Sequence, residues 1–230
     1  MRSQKTIVSG SEKNSYDLSI SDLMAALSCI FILFLVFTIH KLNEERKEFT
    51  RQNGVATEYR LNQERLYKEI YKTFENDLEE WGAEIEPTKG SVLIRFTKDS
   101  MMFAKEDSQL TENFKQVLAV FFPRLIQILQ RSEYKDNIEE IRIEGHTAVD
   151  KRLSRKDDYE TGMKLSQERT REVLYYCLNT IPNERDEVQK NIIAIGYSNS
   201  IPVAEVTKTR RVEFSIRTRA ESVIDQLKKE

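Results

Sequence analysis

The chain has 230 residues, with 36 basic and 38 acidic side chains, a net charge of −2 and 32% charged residues. That balance excludes the basic surplus by which nucleic-acid binders hold phosphate, and the length leaves room for one ordinary domain beside any membrane segment. Its two cysteines, Cys29 in an apolar run and Cys177 in a later amphipathic segment, imply no disulfide framework.

Residues 1–17 read as a polar tail. Leu23 to Ile39, extended back through Ile20 and Leu18, form the one long apolar run, with about the 20 residues that a helix rising 1.5 Å per residue needs to cross a bilayer. The predicted span is therefore 18–40. It ends in Phe37-Thr38-Ile39-His40-Lys41 without the small residues of a cleavage site, and it continues past Cys29 instead of ending there. The run reads as uncleaved and unlipidated. Arg2, Lys5 and Lys13 on one side are matched by Lys41, Arg46, Lys47 and Arg51 on the other, so charge leaves the orientation open.

Asp22 stands at the mouth of this run. A carboxylate at hydrocarbon depth costs on the order of 3 kcal/mol, so its default reading is an ion or proton site. At 100° per residue Ala25, Ala26, Cys29 and Leu33 share its face, and small side chains let a second helix approach closely. The alternative is an Asp22 that sits among headgroups and caps the helix.

Residues 41–80 form a predicted helical linker rich in Glu, Lys, Arg and Gln. Leu66, Ile70, Phe74, Leu78 and Trp81 recur at helical spacing, which predicts one packed face. From 81 to 230 the pattern is that of a folded unit. Ala83–Glu86 and Ser91–Phe96 flank Pro87-Thr88-Lys89-Gly90 as a hairpin. Thr111–Gln130 carries Phe114, Val117, Leu118, Phe121, Leu125, Ile128 and Leu129 on a helical stripe, with a kink expected at Pro123. A strand at Ile138–Glu144, a helix at Leu165–Leu178 and strands at Ile192–Ile195 and Val212–Ile216 complete an α+β fold, one sheet backed by helices. Between them, Val149–Glu160 reads as a charged, solvated insert.

Four motifs in this unit resemble the OmpA C-terminal family of peptidoglycan-binding domains: Ile143-Glu144-Gly145-His146-Thr147, Leu165-Ser166-Gln167-Glu168-Arg169, Gly196-Tyr197-Ser198 with Pro202-Val203, and Thr209-Arg210-Arg211-Val212-Glu213-Phe214. Phe103 and Leu110 resemble that family's opening segment. With one N-terminal span headed by Asp22-Leu23-Met24, the layout resembles the B subunit of MotA/MotB-type stators, whose relatives include a subunit of the Zorya phage-defence system.

The resemblance implies chemistry. Arg169 stands where the family's arginine grips a carboxylate of the diaminopimelate in the wall's stem peptide, and a planar guanidinium fork suits that group. Leu165 and Ser166 belong to the same motif, His146 and Thr147 shape the site, Arg210 serves either the ligand or the sheet, and Arg211 serves structure. The sequence departs from the family in two places. Ala148 replaces the aspartate that meets the ligand's ammonium, and Gly162 replaces an asparagine. Asp150, Asp157 or Asp158 could substitute. The inventory of His40 and His146, with no metal-ligand spacing, phosphate loop or nucleophile elbow, argues against an enzyme, a metal or a cofactor.

The implied mechanism is a single-pass inner-membrane subunit, N-terminus cytoplasmic and domain periplasmic. It would be a homodimer inside a pentameric ring of a MotA-like multi-span partner, carrying ions at Asp22, with protons favoured over sodium, and anchored to peptidoglycan. Motility, defence and transport energisation remain open as outputs, and a static wall tether is the alternative.

Overall fold

The computed structural model describes residues 11–104, 107–201 and 209–220. Residues 1–10 of the predicted tail and the Pro202-Val203 pair lie outside the described residues. The chain divides into two compact units, Met1–Gly54 and Val55–Glu230.

One helix, α1 (Ser11–Phe74), runs through the predicted span and most of the predicted linker. Within it Ile20–Thr50 is, among the described residues, the stretch long and apolar enough to cross a membrane. Leu23, Ile30, Phe31, Leu33, Phe34 and Phe37 are all exposed, an apolar surface of the kind a membrane-spanning helix presents. The hydroxyls of Ser28 and Thr38 donate to the carbonyls of Met24 and Phe34, each at 2.8 Å. These two hydroxyls are thus satisfied within the helix, as a hydrocarbon environment would require. Asp22 lies inside α1 and not at its start. The capping role considered for it is therefore corrected: a residue with helix on both sides of it has no first-turn N–H groups to accept from.

In the second unit the end of α1 is part of the core. Leu66, Ile70 and Phe74 are at most 1% exposed, and α2 (Leu78–Trp81) adds Trp81 after a short turn. Polar contacts fasten the same segment. Gln63 Nε2 donates to the carbonyls of Thr88 at 2.7 Å and Ser91 at 3.0 Å. Arg124 bonds Asp77 at 2.8 Å and lies over the Phe74 ring at 4.8 Å. Glu69 takes the Tyr134 hydroxyl at 2.6 Å and an ion pair from Arg131. Leu66→Ala should cost about 3 kcal/mol in chemical denaturation of the detergent-solubilised chain, the range for a buried leucine that leaves a cavity. A loss under about 0.5 kcal/mol, typical of exposed positions, would show this segment to be a detachable spacer.

Strands β1 (Ala83–Thr88) and β2 (Ser91–Phe96) pair antiparallel across a Lys89-Gly90 turn in which Gly90 has φ 90°. Such a turn needs a residue without Cβ. The hairpin is longer than predicted because β1 continues through Pro87. It can do so because β1 is the sheet's edge, where a missing N–H breaks no ladder bond. After α3 (Asp99–Met102), helix α4 (Glu112–Leu129) begins where Thr111 Oγ1 accepts from the Phe114 N–H at 3.1 Å, and it continues across Pro123. Then come β3 (Ile138–His146), α5 (Arg155–Thr180), α6 (Arg185–Val188), β4 (Ile192–Gly196) and β5 (Arg211–Thr218).

The sheet order is β1-β2-β5-β3-β4. β3 and β4 are parallel, joined through α5, and the other pairs are antiparallel. An aromatic cluster fills the space between sheet and helices, with Phe121 5.2 Å from Phe96 and 5.1 Å from Phe214 between ring centroids. Helix α5 starts at Arg155 and not at Leu165, which corrects the reading of Val149–Glu160 as loop throughout. The cause is local: Ser154 Oγ accepts from the Asp157 N–H at 3.2 Å and donates to the Asp157 carboxylate at 2.7 Å.

Candidate functional site

Arg169, on the buried face of α5, is only 6% exposed. Its guanidinium lies over the Phe103 ring at 4.5 Å, and its Nε donates to the Asp107 carbonyl at 2.9 Å. Phe103 and Leu110 bridge antiparallel, so the segment noted for its resemblance to a family opening closes on itself beside Arg169. The motif arginine and the opening aromatic, 66 positions apart in sequence, are brought into contact.

A second group forms where β3 and β4 end. Thr147 donates its N–H to the Ser198 carbonyl at 2.8 Å. The Ser198 N–H donates to Ser166 Oγ at 3.1 Å, and Ser198 Oγ donates to the Tyr159 carbonyl at 3.0 Å. Ser198 has φ 53°, the one non-glycine residue with positive φ among those described. Such a conformation persists because its surroundings over-determine it. Gly162 explains one departure from the family: a Cβ there would lie 2.4 Å from Ser198 Oγ and 2.7 Å from Thr147 Oγ1. Close approach of α5 to these two residues replaces the family's asparagine.

The three aspartates considered as substitutes at Ala148 all have partners within the chain. Asp150 is held by Arg152 at 2.6 Å, a bond that keeps its carboxyl at about 2, with Arg210 acting in the same sense. Asp157 caps α5 with Ser154. Asp158, 7% exposed, accepts from the Asp150 N–H at 2.9 Å and from Asn199 Nδ2 at 2.6 Å. These bonds organise the turn from β3 into α5, and the structure gives Asp158 a structural task that the sequence did not disclose.

His146 points elsewhere. It is 3% exposed and stacks on Tyr197 at 5.2 Å and 10°. Its Nε2 lies 3.5 Å from Glu213 Oε2, an ion-pair distance, and neither ring nitrogen has a partner in hydrogen-bond geometry. Burial lowers its pKa below 6.5, with Arg211 and Arg95 acting in the same sense and Glu213 opposing. Glu213 Oε1 accepts from Arg211 Nε at 2.6 Å and from Arg95 Nε at 2.7 Å. Burial alone would raise the Glu213 carboxyl, but the bonds from Arg95 and Arg211, with the His146 ring beside them, hold it at about 2. Glu144, opposite Glu213 in the register, is raised by burial and by the Glu213 charge. The donors of Glu144, His146 and Glu213 lie within 4.8 Å of one another. With two guanidinium groups already on one Glu213 oxygen, the group reads as an ionic lattice and not as a metal seat.

The structure thus distributes the expected site residues. Ser166 and Thr147 meet through Ser198, Arg169 meets the Phe103–Leu110 segment, His146 joins the sheet lattice with Arg211, and Arg210 is exposed near Asp150. Leu165 is half-buried on α5. Sequence reading does not single out Asp107, it names Ser198 and Glu213 only as motif residues without a role, and it offers Asp158 as a ligand partner where the structure gives it a task in the turn. Only Asp157, three residues after Ser154, carried a readable local signal, that of a helix start.

A five-stranded mixed sheet backed by α4 and α5 gives the second unit an OmpA-like fold, and an apolar helix long enough to span a membrane comes before it in the chain. No family model matches the chain. A solved MotB-like protein from Desulfovibrio vulgaris superposes with a TM-score of 0.53 at 21% identity, covering 71% of this chain and 95% of that one. The periplasmic domain of Helicobacter pylori MotB gives a TM-score of 0.48 at 15% identity, over 63% of this chain and 95% of that one. Zorya protein ZorB of Escherichia coli is 33% identical over 226 residues, 94% of this chain and 93% of the relative. The chain belongs to the ZorB family.

Proposed function

We propose that this chain is the single-pass B subunit of a Zorya-type, stator-like motor of the bacterial inner membrane, with its N-terminus cytoplasmic and its domain in the periplasm. Asp22 carries ions, protons by preference, against a ring of a MotA-like multi-span partner that surrounds a dimer of this chain. The domain anchors that dimer to peptidoglycan through Arg169, with Leu165, Ser166, His146, Thr147 and Arg210 shaping the site, so that the ring turns and the anchor does not. The role is non-enzymatic and needs no cofactor. The observation that carries this reading is similarity to ZorB along nearly the whole chain, apolar helix and domain together. An aspartate inside that helix, at the mouth of its apolar run, supports it further, because a carboxylate near hydrocarbon is costly to keep.

The anchoring half is tested with sacculi. Arg169→Ala should lower co-sedimentation of the detergent-solubilised chain with purified peptidoglycan by about ten- to a hundredfold, the weight of a charge-assisted fork. Arg169→Lys keeps the charge and stem but not the fork, and should lose most of the same binding. Undiminished pelleting of both variants, each folded by its melting temperature, would remove Arg169 from the wall site.

A further inference from the structure

We infer that Asp107 and Phe103 are positioning residues for Arg169, Asp107 acting through the turn it builds and not through its charge. The inference rests on the wall-binding reading of Arg169 and deepens it.

The geometry separates the two halves of Asp107. Its carbonyl receives Arg169 Nε at 2.9 Å. Its carboxylate is engaged by its own backbone, with Oδ1 accepting from the N–H of Ser108 at 2.6 Å and of Gln109 at 3.3 Å. This is an Asx turn, in which the side chain fixes the backbone that follows it. The turn is tied on both sides. The Asp107 N–H donates to the Ala104 carbonyl at 3.1 Å, the Ala104 N–H to the Gln109 carbonyl at 3.3 Å, and the Thr111 N–H to the Met102 carbonyl at 3.1 Å, just ahead of α4. The carbonyl that holds Arg169 is therefore aimed by a carboxylate that never touches it.

Phe103 supplies the second constraint. A hydrogen bond at Nε holds one edge of the guanidinium, and the ring face 4.5 Å below favours one orientation of its plane by cation–π attraction. Phe103 is itself held, 4% exposed and edge-on to Phe114 at 6.1 Å. One contact bears on where the guanidinium lies, and the other on how it faces. A fork that must meet a planar carboxylate in two bonds needs both, because bidentate recognition fails with modest rotation.

The test uses the full chain in detergent, with sacculi and with the Arg169 Nε–H signal in proton NMR. Asp107→Ala should weaken pelleting about tenfold, the weight of one bond to a charged group, and should strip the Arg169 Nε–H of its protection from solvent exchange. Asp107→Asn, which builds the same turn without a charge, should restore both readouts to near the native level. Phe103→Leu should weaken pelleting several-fold while leaving the Nε–H protected. If Asp107→Asn fails as badly as Asp107→Ala, the charge matters and the turn mechanism is wrong. Native pelleting and native protection in Asp107→Ala would overturn the inference outright. Should Asp107→Ala expose the Nε–H while Arg169→Ala still pellets normally, Asp107 positions Arg169 as stated and it is the wall-binding reading that falls.

Discussion

Asp22→Asn is expected to reach the membrane at native levels together with its partner and to leave cells as open to phage as a strain lacking the system. Asparagine matches aspartate in size, and its helix propensity is similar, so α1 should form unchanged around it. What the amide lacks is the ability to alternate between a charged and a neutral form, and an ion carrier in a low-dielectric seat depends on that alternation. Because Asp22 lies within α1 and caps nothing, loss of activity cannot be assigned to a lost cap. Full phage protection by Asp22→Asn at native membrane levels would leave the static wall tether as the correct account. If the variant assembles and is dead, ion flux measured against pH and against sodium in the native system names the ion.

Glu213→Ala is expected to remove about 4 kcal/mol of folding stability, within the range for breaking a buried ion pair from one side. The loss has a specific source. Arg211 and Arg95, with side chains 2% and 13% exposed, would keep their charges without the carboxylate between them. Glu213→Gln retains an acceptor and should lose less. The pH dependence follows in sign. The Glu213 carboxyl sits at about 2 in the folded chain against an ordinary 4.5, so the unfolded chain takes up the proton first. Its stabilisation is full above pH 4.5 and drains away as pH falls from 4.5 toward 2. Glu144, whose carboxyl is raised, acts in the opposite sense, so the measurement is the difference between native and Glu213→Gln denaturation curves at each pH. A gap between those curves that stays constant from pH 6 down to pH 3 would show that Glu213 is not the titrating group.

Much of this protein was determined by local sequence alone. The length of the apolar run, the place of Asp22 in it, the stripe of Phe114, Leu118, Phe121 and Leu125, and the positions of all five strands follow from periodicity, because burial of one helix face or one strand face is written into consecutive residues. Tertiary structure decided the rest. Alternation in Val212-Glu213-Phe214-Ser215-Ile216 reads as a strand with one wet face, yet every one of these residues is buried. β5 lies between β2 and β3, and the polar face of the sheet is closed over by its own ion pairs, a consequence of strand order and register that no single strand encodes. The spacing of Leu66, Ile70 and Phe74 announced a packed face, but only the fold shows that this face completes the core of the domain. Arg169 was recognisable from its motif. Its seat was not, since the ring beneath it and the carbonyl beside it come from a segment more than sixty residues earlier, and contacts at that separation are set by chain topology and not by local pattern.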